Sequence, residues 1–138
     1  MIVELKENKY KEIKTVVEPI RFHLPINAIV EGGIPGRIGA DNLDNPTSVL
    51  IWDKRYGYYL GGNENNERFN SALDRVFSEE IGPNALERGI SLFFIACNKT
   101  WKDKLLKEEL LNVELKTLQR QYHAFIQPKV TDWKERIP

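Results

Sequence analysis

The clearest hydrophobic pattern along this chain has the spacing of an amphipathic α-helix and lies between residues 69 and 77. Its apolar members, at i, i+3, i+4, i+7 and i+8, are Phe69, Ala72, Leu73, Val76 and Phe77. This spacing places all of them on one face of a helix. The Gly82-Pro83 pair is expected to end the helix, and residues 84–89 form either a connector or one more helical turn.

Three short runs rich in β-branched and aromatic residues precede this stripe and are typical of β-strands. They span residues 37–41, 48–52 and 56–60. An Asn-Pro pair at 45–46 marks the turn after the first run, and the Asp-Lys-Arg sequence at 53–55 suits a short hairpin loop after the second. We therefore expect three strands that lead directly into the amphipathic helix.

The N-terminal part is predicted to contain a helix over residues 8–18, capped by Asn8 and stopped by Pro19. Its apolar face comprises Tyr10, Ile13 and Val17. Residues 20–30 are ambiguous, because Pro25 interrupts an apolar run that fits either a short helix or a strand.

The second half of the chain begins with a nearly continuous apolar run at 90–97, which predicts a central strand covered on both faces. Thr100 and Asp103 have the spacing of a capping box and predict a helix that ends near Asn112. The side chains expected to face inward are Trp101, Leu105, Leu106, Leu110 and Leu111. Residues 113–126 alternate with one change of parity, which implies a strand with a bulge or two strands.

This order of elements predicts one α/β or α+β domain with a mixed sheet and helices packed on it. A chain of 138 residues is most simply a single domain. We assign residues 1–127 to that domain and the polar residues 128–138 to a C-terminal tail or linker.

Composition argues against several classes of partner. Twenty basic and twenty acidic residues cancel, so there is no global field to attract nucleic acid or an acidic membrane. The longest apolar run is too short to span a bilayer, and the first residues lack the pattern of a signal peptide. Cys97 is the single cysteine, which fits a reducing compartment. We therefore expect a cytoplasmic protein without nucleic-acid or membrane partners.

A candidate cofactor site lies between the third strand and the amphipathic helix. Its residues are Gly61, Gly62 and Asn63. Backbone amides at a helix N-terminus favour anions, but Glu64 and Glu67 would repel a pyrophosphate there. In the alternative interpretation, Asn63 or Asn65 is simply the N-cap of the helix.

Candidate residues for contact with a substrate or partner are Trp52, Tyr58 and His123. The first two belong to an aromatic hairpin that serves either ligand stacking or sheet packing. His123 is opposite in parity to the expected core residues, so it faces a groove or solvent. No Ser or Cys motif accompanies a histidine and no metal-ligand spacing occurs, so no catalytic or metal-binding residue is assigned.

A set of turn and packing residues over 20–138 forms a known pattern. It comprises Gly36 and Arg37 before a strand that ends at Asp41, the Asn-Pro turn, the strand to Trp52, the GYYLGG segment at 57–62 and an Asn/Glu-rich helix start. It continues with Trp101, Arg120, Tyr122, Phe125, Trp133 and Pro138. These residues resemble the N-terminal half of a bacterial GNAT-type N-acetyltransferase family whose members carry two GNAT-like halves in tandem.

The resemblance implies a GNAT-like mixed, mainly antiparallel sheet with helices on both faces. In GNAT enzymes the loop after the strand that matches 56–60 carries Gln/Arg-x-x-Gly-x-Gly/Ala, whose amides hold the pyrophosphate of coenzyme A. Residues 61–67 read GGNENNE here, without the opening Gln or Arg. In the resembling family the C-terminal half supplies the coenzyme site.

Three hypotheses for function follow. The first is an acetyltransferase-family domain, catalytically incomplete alone, that supports substrate binding or assembly with a catalytic half. The second is a small acyl-CoA-dependent N-acetyltransferase with an atypical pyrophosphate loop, acting by direct attack on the thioester of acetyl-CoA. The third is a non-enzymatic binding module that uses the aromatic hairpin. The partner is either a second copy of the chain or a catalytic GNAT half, and the sequence assigns no substrate.

Overall fold

A five-stranded mixed sheet forms the centre of the protein. The computed structural model describes residues 2–54, 57–89, 94–108 and 110–111. The strands lie in the order β1 (Val3–Glu4), β2 (Arg37–Ala40), β3 (Ser48–Trp52), β4 (Gly57–Gly62) and β5 (Phe94–Ala96). Neighbours from β1 to β4 are antiparallel, whereas β4 and β5 are parallel. The predicted fold class, a mainly antiparallel mixed sheet consistent with a GNAT-like fold, is confirmed.

The three predicted extended runs form β2, β3 and β4. In the β3–β4 hairpin Leu50 lies opposite Leu60 and Trp52 lies opposite Tyr58. These four side chains share one face of the sheet, and alternation along the strands sends the residues between them to the other face. One face carries Ile38, Ala40, Val49, Ile51 and Tyr59, and the other carries Leu50, Tyr58 and Leu60.

The first face is covered by short helical segments from the N-terminal part of the chain. A 3-10 helix over Glu7–Ile13 and a 3-10 turn over Glu18–Ile20 precede α1 (Leu24–Val30). The three predicted core residues of this region are buried, and the ambiguous run is resolved as a helix at α1. Pro25 lies in the first turn of α1, where a missing backbone N–H costs nothing.

Two predictions about this region were wrong. The N-cap of the first segment is Lys6 rather than Asn8, and no side chain caps it. The first helix ends at Ile13 rather than at residue 18, so Pro19 does not end it; Pro19 lies in the first turn of the Glu18–Ile20 segment, a position that proline tolerates.

The second face is covered by α2 (Glu67–Arg75), which continues as a π-helix over Val76–Ile81 and then α3 (Gly82–Glu87). The apolar stripe is confirmed, since Phe69, Leu73 and Phe77 are fully buried. The predicted end at Gly82-Pro83 was wrong. The Gly82 amide donates to the carbonyl of Phe77, five residues back. The wider turn admits Pro83 into the first turn of α3 without breaking the helical path.

The last described helix is α4 (Lys99–Lys107). Its N-cap is Asn98 rather than Thr100: Asn98 Oδ1 accepts from the Trp101 amide at 3.1 Å, and the Thr100 hydroxyl donates to the same oxygen at 2.9 Å. The helix also ends five residues before the predicted Asn112. Trp101, Leu105 and Leu111 are buried as predicted, while Leu106 and Leu110 are half-buried.

The apolar run at 90–97 contributes β5, whose three residues are half-buried. Within the described part of the sheet, β5 is the last strand and pairs with β4 alone, so central placement is not observed there. Residues 90–93 and the predicted strands over 113–126 lie outside the described residues, as does the predicted tail. The domain boundary at 127 stays a prediction. No helix in the described ranges is long and apolar enough to cross a membrane.

Candidate functional site

The three predicted cofactor-binding residues lie where β4 ends: Gly61 and Gly62 are its last residues, and Asn63 opens the β4–α2 loop, residues 63–66. The N-cap of α2 is Asn66, which corrects the expectation of Asn63 or Asn65. Asn66 Oδ1 accepts a hydrogen bond from the Phe69 amide at 3.1 Å. Asn63 instead uses its side-chain oxygen to accept from the Asn65 amide at 2.9 Å, which closes an Asx turn.

Several backbone amides at this loop and at the start of α2 donate inside the protein. The Asn63 amide donates to the Thr47 carbonyl at 2.8 Å, and the Asn65 and Phe69 amides donate to the side chains named above. The Asn70 amide donates to the Asn66 carbonyl at 2.9 Å. An anion site at a helix N-terminus needs amides that are still free to donate. The amides of Asn63, Asn65, Phe69 and Asn70 are therefore already occupied.

Side-chain chemistry also disfavours an anion. The Asn70 side chain is buried and donates to the Glu64 carbonyl at 2.9 Å, while its Oδ1 has no partner among the described residues. Glu67 adds a carboxylate in the first turn of α2, where it already interacts favourably with the helix dipole.

Gly61 and Gly62, the last two residues of β4, allow close packing against neighbouring segments. Gly62 has φ +90°, and a Cβ there would overlap the carbonyl oxygen of Thr47, so only glycine fits. A Cβ on Gly61 would lie 3.3 Å from Val17 and 3.4 Å from Ile20. The absence of a side chain at both positions therefore lets the end of β4 pack closely against Thr47, Val17 and Ile20.

Trp101 of α4 closes the space beside this loop. In the described residues, β5 pairs with Gly57–Tyr59 of β4 and ends at Ala96. β4 continues without β5 to Gly62. The Trp101 indole N–H donates to the Gly62 carbonyl at 3.1 Å, and its side chain is fully buried. Its ring meets that of Phe69 edge-on, with centroids 6.1 Å apart.

Asp41 anchors the loop to the strands, a role that sequence reasoning missed. Its Oδ1 accepts from the Thr47 and Ser48 amides at 2.8 and 3.1 Å. Its Oδ2 accepts from the Thr47 hydroxyl at 2.6 Å and from the Asn66 side chain at 3.0 Å. Burial acts to raise the pKa of Asp41, but the hydrogen bonds from Thr47 and Ser48 outweigh it and hold that pKa below its usual value. The available signal was an Asp at a strand end before an Asn-Pro turn.

The predicted contact residues Trp52 and Tyr58 are brought together. Their rings stack with centroids 6.1 Å apart, and Tyr58 also meets Phe77 edge-on. Tyr58 is buried, and burial raises the pKa of its hydroxyl. Trp52 is half-buried, and its indole nitrogen has no hydrogen-bond partner among the described residues. The packing places Tyr58 in the core, and a role of either residue in contact with a substrate or partner stays a prediction.

A second aromatic group lies on the opposite face, and sequence reasoning missed it because its members are distant in the chain. The Tyr59 hydroxyl donates to Asp53 Oδ2 at 3.1 Å. The rings of His23 and Phe94 lie 5.7 and 6.4 Å from that of Tyr59. Next to His23, Phe22 and Leu24 are 61% and 82% exposed.

The remaining candidates are His123 and Cys97. His123 lies outside the described residues. Cys97 is half-buried, and burial raises its pKa to about 11, so the protonated thiol dominates at neutral pH. Within the described ranges, no cluster of three or more His, Cys, Asp or Glu side chains has the arrangement of a metal site.

Comparison with known proteins supports an acetyltransferase family. No protein-family model matches the chain. The chain is 26% identical over 129 residues to a protein of Bacillus subtilis (strain 168) named uncharacterized N-acetyltransferase YdfB. The alignment covers 94% of this chain and 46% of that relative, so the chain spans about half the length of the curated relative that it matches. This distant likeness agrees with the resemblance in the sequence and with the GNAT-like sheet.

Proposed function

We propose that this chain is a GNAT acetyltransferase-family domain that is catalytically incomplete alone and supports substrate binding or assembly with a catalytic half. The observation that carries the proposal is the internal use of the amides at the β4–α2 loop. The amides of Asn63, Asn65 and Phe69 each donate within the protein. To use these three amides, a pyrophosphate would have to break the bonds that they already make.

The charges around the loop support the same function. Glu64 and Glu67 each bring a carboxylate to the loop, which would repel a pyrophosphate at close range. The Lys104 ammonium group donates to Asn65 Oδ1 of the loop at 3.3 Å and pairs with Glu108 at 3.0 Å. Part of its charge is therefore neutralised by a neighbour on its own helix.

The length of the B. subtilis relative supports the proposal that this domain works with a partner. The B. subtilis relative carries about as much chain again outside the aligned part. We propose that a segment of comparable size completes this domain, either as a catalytic GNAT half or as a second copy of the chain. Light scattering checks the second form, because a homodimer has twice the chain mass of 16.0 kDa.

Calorimetric titration with acetyl-CoA, with coenzyme A in parallel, tests the proposal. We expect no saturable heat at millimolar ligand. A dissociation constant of about 100 μM or below, which corresponds to about −5.5 kcal/mol, would contradict the proposal and favour a working acyltransferase.

A charge variant separates the two physical reasons. In Glu64→Gln/Glu67→Gln the two carboxylates are removed while the loop amides keep their internal partners. We expect this variant to remain without coenzyme binding. If it binds and the unchanged chain does not, repulsion by the two carboxylates is the dominant cause and the occupied amides are not.

A further inference from the structure

An exposed apolar pair, Phe22 and Leu24, lies at the start of α1 beside the aromatic group on the first face of the sheet. The two side chains are 61% and 82% exposed, which are the largest values among the exposed large hydrophobic residues of the described ranges. The ring of Phe22 packs on His23 with centroids 4.2 Å apart, and His23 in turn lies next to Tyr59. An apolar surface therefore extends from the aromatic group into solvent.

The backbone that carries this pair is held on both sides. Ile20 and Ile26 are buried in the core. Arg21 Nε donates to Asn27 Oδ1 at 3.3 Å, and Asn27 Nδ2 donates to the Arg21 carbonyl at 3.5 Å. The His23 amide donates to the Ile20 carbonyl at 3.1 Å. Because this backbone is already ordered, a partner that covers the pair pays little conformational entropy to order it.

The length of the relative indicates which partner covers the pair. The 129 aligned residues are 46% of the B. subtilis protein, so two copies of this 138-residue chain have about the length of that protein. A second copy presents the same apolar pair, and a two-fold contact brings one surface against its own copy. Arg21 and Glu18 at the border of the pair are joined at 2.9 Å, so neither charge needs a partner from the other copy.

We infer that Phe22 and Leu24 form the centre of a two-fold interface through which two copies of this chain associate. The inference rests on the proposed function, because it chooses the second copy as the segment that completes the domain and assigns the surface that binds it. A stable interface buries roughly 800 Å² on each partner. The exposed pair supplies the apolar core of such an interface, and the Glu18–Arg21 ion pair belongs to its polar rim.

Light scattering over a dilution series, on the unchanged chain and on Phe22→Ser/Leu24→Ser, tests this inference. We expect the unchanged chain to have twice the chain mass of 16.0 kDa and the variant to have the chain mass itself. The dissociation constant of the dimer should rise at least about tenfold, as for apolar groups at the centre of an interface. Both side chains are exposed, so the variant should fold, and circular dichroism checks that it does.

Ile34→Ser/Leu43→Ser is the matched control. It removes the other two exposed large hydrophobic side chains, which are 41% and 47% exposed and lie outside the 20–27 segment. The loss of apolar surface is of the same kind, but the proposed interface is untouched. We therefore expect this variant to remain a dimer with an unchanged dissociation constant.

A single charge gives a second, independent readout. At the centre of a two-fold interface the two copies of residue 24 lie close together, so Leu24→Lys places two like charges opposite each other. We expect this variant to dissociate at low ionic strength and to recover part of its dimer as salt rises, because salt screens the repulsion.

Three outcomes overturn the inference: a monomeric unchanged chain, a dimer that survives Phe22→Ser/Leu24→Ser, or equal losses in that variant and in Ile34→Ser/Leu43→Ser. A monomeric chain leaves the proposed function intact, with a catalytic half as the partner. Acetyl-CoA binding by the unchanged chain contradicts the proposed function whatever the mass, so the two can fail separately.

Discussion

Asp41 is the residue on which the geometry of the β4–α2 loop depends most. Its two carboxylate oxygens accept four hydrogen bonds, which join the end of β2, the start of β3 and the N-cap of α2. Carboxylate oxygens, which only accept, suit this position because the four groups around them, from Thr47, Ser48 and Asn66, all donate. An amide at the same place would present two N–H groups toward donors.

The variant Asp41→Asn should therefore be less stable at pH 7 by about 1.5–3 kcal/mol, the range for hydrogen bonds to a charged group. The pKa of the Asp41 carboxyl is held below its ordinary value of 3.8 by Thr47 and Ser48 despite burial. Its contribution to stability is therefore present above that value and lost as pH falls through the folded-state pKa. Urea unfolding at pH 7 and pH 3 should show a smaller difference between variant and unchanged chain at pH 3.

Asp44→Asn is the matched control for this prediction. Asp44 is exposed in the same β2–β3 connection, and its carboxylate accepts no hydrogen bond in the described part of the chain. We expect a change within about 0.5 kcal/mol at both pH values. Equal effects of the two substitutions would contradict the role assigned to Asp41.

At the scale of elements, the choice of helix cap decides where α4 begins. The sequence pattern favoured Thr100, whereas the structure uses Asn98, whose Oδ1 accepts from both the Trp101 amide and the Thr100 hydroxyl. Both residue types are good caps, so propensity alone does not separate them. The hydrogen bond from the Trp101 indole to the Gly62 carbonyl fixes where α4 lies against β4. This position in turn determines which residue caps the helix.

Asn98→Ala should lower the free energy of unfolding by about 1 kcal/mol, because it leaves an N-terminal amide of α4 unsatisfied. Thr100→Ala removes a hydroxyl that donates to the cap but caps nothing itself, so its effect should be within about 0.5 kcal/mol. Chemical denaturation of the two variants side by side measures the difference. A larger loss of unfolding free energy for Thr100→Ala would show that Thr100 caps α4, as the capping-box pattern predicts.

At the scale of the whole molecule, one sheet separates two buried clusters. Ile13 belongs to the cluster under the N-terminal helical segments, and Leu73 belongs to the cluster under α2 and α4. Both side chains are fully buried. Because the same strands contribute to both clusters, we expect the described domain to unfold in a single cooperative transition.

The substitutions Ile13→Val and Leu73→Ala should cost about 0.5–1.5 and about 2–5 kcal/mol, and the double variant should cost their sum within about 0.5 kcal/mol. Denaturation followed by fluorescence and circular dichroism should give coincident curves.

Phe69→Leu and Trp101→Phe form the contrasting pair, because they alter two rings that are in contact. Their effects on the free energy of unfolding should couple by at least about 0.5 kcal/mol. Additivity in the contacting pair, or coupling across the sheet, would contradict this organisation.

Local periodicity determined much of the fold. The strands at 37–40, 48–52 and 57–62 and the buried stripe of α2 follow from spacings of two and of three to four residues, which depend only on near neighbours. The buried face of Tyr10, Ile13 and Val17 was predicted equally well, although its helix type was not. The two acidic residues at 64 and 67 were also visible in the loop sequence, before any contact was known.

Only the tertiary structure decided the capping residues, the π-helical passage through Gly82-Pro83 and the chemistry of the loop. Trp101 and Gly62 are 39 residues apart, and Asp41 and Asn66 are 25 apart. A hydrogen bond between such residues depends on how whole elements pack, which no local spacing encodes. Sequence therefore determined which residues are apolar, extended or helical, and packing determined which polar groups meet, because donors and acceptors find partners only after the core has placed them.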